Sequence, residues 1–129
     1  MRFAMGVYEL AFTMRECVAG GAIVIELLGE IDILAEQQLG PRVEALSARN
    51  RSDVVIDLRG VTFLDASGVR LLMRARGRSV RCGGRLRVVR GGPMVSKVIR
   101  IAGVETAFTW LDSFPAACPS PFAGRNVPA

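Results

Sequence analysis

The chain has 129 residues, half of them hydrophobic and 22 % charged, as expected for one globular domain with a single buried core. Its net charge of +5 is unevenly spread, with a net of −4 over residues 1–65 and +9 over residues 66–129. There is no histidine, which removes the commonest general base, the commonest metal ligand and every Ser-His or Cys-His nucleophile pair.

In chain order, Val7–Thr13 partly alternates and reads as a strand, and the β-branched run Ala22–Leu28 reads as a second. Gly20-Gly21 between them suits a hairpin turn. Gly29-Glu30-Ile31-Asp32 closes the second strand, and Asp32 is placed to cap a helix. Ala35, Leu39, Val43 and Leu46 then recur at helical spacing. Pro41 conflicts with that helix, because an interior proline removes a hydrogen bond, so a kink or restart near Gly40-Pro41 is expected. Asp53–Leu58 reads as a strand inside a covered sheet. A second helix is expected from about Asp65 to Cys82, ending where Gly83 can take a left-handed conformation. Leu86–Val89 reads as a strand, Pro93 opens a third helix ending before Gly103, and Phe108–Leu111 reads as a last short strand.

From Pro115 onward the chain is rich in proline, alanine and glycine, so a domain over 1–112 and a disordered tail over 113–129 are expected. Alternating strands and helices imply parallel pairing through helical crossovers, with an antiparallel opening hairpin. The longest apolar stretch is too short to span a bilayer, and the first residues lack a secretory pattern, so a cytoplasmic location is expected. Cys17, Cys82 and Cys118 lie far apart; they suggest no disulfide framework and match no metal-ligand spacing. No metal, catalytic group or cofactor is expected.

The segment Asp65-Ala66-Ser67-Gly68 stands at a strand-to-helix junction. Asp65 can accept from first-turn N–H groups, Ser67 falls in that turn with its hydroxyl expected near the surface, and Gly68 would let another molecule approach the backbone. A phosphate on Ser67 would meet the positive end of the helix dipole and be opposed by Asp65. Arg70 and Arg74 follow Ser67 by three and seven residues, so both can share its helical face.

Gly29-Glu30-Ile31-Asp32, Val55-Ile56-Asp57-Leu58 leading into Val61-Thr62-Phe63-Leu64-Asp65-Ala66-Ser67-Gly68, Gly83-Gly84-Arg85-Leu86 and Ile101-Ala102-Gly103-Val104 together resemble the STAS family, specifically bacterial anti-sigma factor antagonists, over roughly residues 7–112. The resemblance implies an α/β fold, a single domain with a mixed, mostly parallel sheet of four to five strands flanked by helices, and no catalysis by the domain itself. It implies a partner switch: the unphosphorylated antagonist binds an anti-sigma factor that is also a serine kinase, freeing the sigma factor. The kinase, to which the ATP belongs, then phosphorylates the antagonist, and a phosphatase restores it.

Carried over by position, the phosphoacceptor is Ser67, and the partner-binding residues are Asp32, Asp65, Ala66, Ser67, Gly68, Arg70 and Arg74. Ala66 stands where many relatives have a first serine, leaving one hydroxyl, and Ala35 replaces a common threonine. Arg70 and Arg74 depart from the small or apolar residues usual there; they either set partner choice or clasp the phosphate. Arg76 also stands where an apolar residue is expected. A weak homodimer is compatible with the family, and no direct DNA contact is expected. Two alternatives stay open: a STAS module of another signalling or transport-associated complex with Ser67 unmodified, and a binder of anionic lipid or nucleic acid through the arginines between Arg70 and Arg90. The nucleic-acid version lacks interleaved aromatics for base stacking.

Overall fold

A computed structural model describes residues 11–114 and Cys118. Strand β1 (Phe12–Ala19) and strand β2 (Ala22–Ile31) form an antiparallel hairpin, followed by α1 (Ile33–Ser47), β3 (Asp53–Leu64), α2 (Ala66–Arg81), β4 (Arg85–Val89), α3 (Pro93–Ile101), a 3₁₀ turn at Glu105–Ala107 and β5 (Thr109–Leu111). The strands form one sheet in the order β1-β2-β3-β4-β5. Among the described residues only the first pairing is antiparallel; β2, β3, β4 and β5 run parallel.

This is the mixed sheet with flanking helices expected from the sequence. Parallel neighbours need crossovers, and right-handed crossovers taken in one direction along a sheet lay every helix on the same face. The core accordingly lies between α1, α2 and α3 and one strand parity, represented by Ile25, Leu27, Val54, Ile56, Leu58 and Val88. The opposite face carries a smaller apolar cluster of Ala22, Val55 and Val89 with Leu111 and Phe114.

The Gly20-Gly21 turn is a two-residue hairpin with φ values of 58° and 81°, which glycine adopts without steric cost. The strand entering it is Phe12–Ala19, so the expected Val7–Thr13 strand is displaced: part of it falls outside the described residues, and pairing continues to Ala19. Arg15 and Glu16 obscured that strand. Each charge has an ion-pair partner, Arg15 in Glu26 at 3.0 Å and Glu16 in Arg42 of α1.

Strand β3 runs to Leu64, six residues beyond the expected end, through the polar and flexible residues Arg59, Gly60 and Thr62, with register irregularities against β2. Helix α1 continues through Pro41 with no restart. Gly40 has no Cβ to clash with the proline ring, and Gln37, whose carbonyl loses its intrahelical donor, is exposed to water.

The cysteines also differ from expectation. Cys17 on β1 is disulfide-bonded to Cys118, with Cα atoms 5.5 Å apart across 101 residues of sequence. The Cys118 N–H donates to the buried Glu26 carboxylate at 2.9 Å. Such disulfides are rare in the reducing cytoplasm expected from the sequence. Apart from Ser113, Phe114 and Cys118, the tail expected over 113–129 lies outside the described residues.

Candidate functional site

Two helices begin side by side at the carboxyl ends of β2 and β3. Asp32 caps α1, accepting from the Ala35 N–H at 3.1 Å. Asp65 caps α2, its Oδ1 accepting from the N–H groups of Ser67 at 2.9 Å and Gly68 at 3.2 Å. Each cap satisfies donors that the helix cannot pair internally. The crevice beyond the carboxyl ends of parallel strands is where open α/β folds place their sites, because loops and helix N-termini converge there.

Ser67 lies in the first turn of α2, as the sequence implied, but it is buried at 7 % exposure rather than lying open. Arg70, one turn on, folds back over it and donates from Nη2 to the Ser67 hydroxyl at 3.0 Å. The same guanidinium forks onto Glu36 of α1, through Nε at 2.9 Å and Nη2 at 3.1 Å. Arg74 reaches Glu36 at 3.6 Å. The Arg70 hydrogen bonds hold the Glu36 carboxyl below its ordinary pKa, outweighing the opposing effect of burial, with the charges of Arg70 and Arg74 adding to it.

The structure thus brings Asp32, Asp65, Ser67, Arg70 and Arg74 to one end of the sheet, with Ala66 exposed beside them. Gly68 belongs elsewhere. It is buried, and a Cβ there would lie 2.3 Å from Leu64 Cδ1 and 2.7 Å from the Ile31 carbonyl oxygen. Its missing side chain lets α2 pack onto β2 and β3, so the expectation that it faces a partner is corrected.

Glu36 was not singled out from sequence. It follows Ala35 on the core-facing stripe of α1 and lies opposite the arginines of α2, a complementarity visible only once the helices are paired. Also missed were Ile33, Leu34 and Phe63, large apolar side chains left exposed at the same end of the sheet. Along the α1–α2 seam an open groove of about 570 Å³ runs past Arg70, Arg74, Arg78, Arg81 and Glu44.

The opposite charges of the two chain halves meet in space. Arg78 pairs with Glu44, and Arg85 and Arg87 with Asp53, while Arg90 pairs with Asp112 within the basic half itself. Arg76 donates to the Ala107 carbonyl, which accounts for an arginine at an apolar position. These pairings leave much less free basic surface than the sequence alone implied. Among the described residues, no cluster could hold a metal ion, and no helix is long and apolar enough to cross a membrane.

A family model described as "Mlab, STAS domain" matches residues 14–111. The chain is similar to the anti-sigma-F factor antagonist RsfB of Mycobacterium tuberculosis, at 29 % identity over 108 residues, covering 81 % of this chain and 85 % of that protein. It is also 29 % identical over 90 residues to the anti-sigma F factor antagonist of Lysinibacillus sphaericus, covering 69 % of this chain and 77 % of that one. Among solved structures, an anti-sigma factor antagonist from Mycobacterium paratuberculosis superposes with a TM-score of 0.71 at 26 % identity, covering 79 % of this chain and 86 % of the other. Unphosphorylated SpoIIAA shares the fold, with a TM-score of 0.63 at 24 % identity over 78 % of this chain and 88 % of its own. With the match running from β1 to β5, this chain belongs to the STAS domain family.

Proposed function

We propose that this protein is an anti-sigma factor antagonist, a non-catalytic partner switch whose Ser67 is the phosphoacceptor. The observation that carries the reading is the placement of Ser67 on the first turn of α2, at the end of the sheet where Asp32 and Asp65 cap their helices and Ile33, Leu34 and Phe63 are exposed. The likeness to RsfB over four-fifths of the chain supports the same role.

Exposed apolar residues around a polar centre are what a docking surface needs, since their burial supplies affinity while the polar centre sets orientation. The partner is an anti-sigma factor with serine kinase activity, and a phosphatase resets the switch. In phosphoryl transfer from ATP, the Ser67 Oγ–P bond forms as the bond from the γ-phosphorus to the ADP oxygen breaks. The hydroxyl proton leaves to a base of the kinase. The surface gains nearly two negative charges at the docking centre, enough to oppose rebinding without refolding the domain.

Incubation with the anti-sigma kinases of the source organism and ATP, followed by mass spectrometry, tests this. Phosphate on Ser67, absent in Ser67→Ala, together with release of the bound kinase on modification, is the expected result. Binding that persists unchanged after modification would point to a STAS module serving a different complex.

A further inference from the structure

We propose that Arg70 is the seat for a phosphate on Ser67, and that Glu36 competes with that phosphate for the same guanidinium, so that modification draws Arg70 away from α1. The inference rests on Ser67 being the phosphoacceptor and extends that reading to what the phosphate touches.

Three of the first four amides of α2 are already committed. Those of Ser67 and Gly68 donate to the Asp65 side chain, and that of Val69 donates to the Asp65 carbonyl. A phosphate on Ser67 gains from the helix dipole but does not find those N–H groups free. Beside the Ala66 N–H, Arg70 supplies the charged donor, with Nη2 already 3.0 Å from the oxygen that would carry the phosphate. A planar guanidinium fork matches a phosphate in two-point contact, and the dianion offers three strong acceptors against two on a carboxylate.

That same Nη2 also serves Glu36. The side chain of Glu36 is only 9 % exposed, so it cannot readily turn to water when its partner is shared. The charged groups around the serine are Asp32, Asp65 and Glu36 against Arg70 and Arg74, so a dianion there enters a neighbourhood with one more acid than base. Modification therefore sets the phosphate and Glu36 against each other across one guanidinium. Glu36 keeps only the longer contact to Arg74, and the tie between α1 and α2 loosens at the docking end.

Phosphoserine installed at position 67 during translation, with no kinase involved, provides the test. The phosphate is titrated by ³¹P NMR and the Glu36 carboxyl by ¹³C NMR, in wild type and in Arg70→Gln. The second phosphate ionisation, ordinarily near pH ~6, is expected about one unit lower in wild type than in Arg70→Gln. The Glu36 carboxyl is expected to titrate higher in the phosphorylated than in the unphosphorylated protein. Equal phosphate titrations in wild type and Arg70→Gln overturn the seat; a Glu36 titration that ignores the phosphate overturns the competition. If Arg70→Gln does not fold, Arg70→Lys, which keeps the charge and loses the fork, serves as the comparison, and a phosphate seen as two-point bound in neither protein overturns the seat. Because the phosphate is installed without a kinase, failure here is separate from failure of any kinase to modify Ser67.

Discussion

Asp32 and Asp65 occupy equivalent places: each follows one of the register partners Ile31 and Leu64, and each caps the helix that leaves its strand. Two helix N-termini and two carboxylates are thereby set side by side on neighbouring parallel strands. The candidate surface is built on that repetition of one local device.

The two caps differ in strength. Asp65 satisfies two N–H groups and Asp32 one. Asp65→Ala is expected to cost about 1–2 kcal/mol of folding stability, and Asp32→Ala about 0.5–1 kcal/mol. Urea unfolding monitored by circular dichroism checks both values and their order.

Gly68→Ala is expected to destabilise the fold by about 1–3 kcal/mol, because the added methyl group meets Leu64 and the Ile31 carbonyl in a packed contact. Ala66→Ser, at an exposed neighbouring position, should change stability by no more than about 0.5 kcal/mol. If Gly68→Ala unfolds at the same urea concentration as wild type, α2 does not pack as described.

Glu36 titrates below its ordinary value of 4.5 when folded, chiefly through Arg70. A carboxyl whose folded pKa is depressed contributes stability above its unfolded pKa and loses it as pH falls through the folded one. The stability advantage of wild type over Arg70→Gln should therefore be constant at neutral pH and shrink below pH 4.5. Unfolding curves collected between neutral and acidic pH check this, and an advantage that grows in acid would contradict it.

The Cys17–Cys118 bond closes a loop spanning 101 residues of sequence separation. Its reduction should cost about 2–4 kcal/mol, and Cys17→Ser should be insensitive to reductant. Alkylation and mass spectrometry with and without reductant, beside melting curves, measure both the pairing and its contribution.

Much of the fold could be read from the chain because its signals are local. Asp32, Asp65, Gly20-Gly21 and Pro93 each act within a few residues, and each marks the boundary it was assigned. What escaped depended on distant partners. Strand β1 hides its pattern because Arg15 and Glu16 find opposite charges on β2 and α1. The end of β3 passes through Arg59, at a register irregularity, and Gly60, which pairs with Leu28 of β2 despite its low strand propensity. Ser67 and Arg70 could be placed on one helical face by counting, yet the burial of the hydroxyl depended on Glu36, 34 residues before Arg70. Cys17 and Cys118 are brought together only by the folded sheet.

That burial has a consequence for selectivity. A phosphoryl donor that merely collides with this end of the sheet meets an arginine and not an alcohol. Under the proposed switch, a visitor that offers Arg70 an acid in exchange for Glu36 would uncover the oxygen. In that switch, the traded ion pair would contribute to discrimination among similar kinases before any chemistry begins.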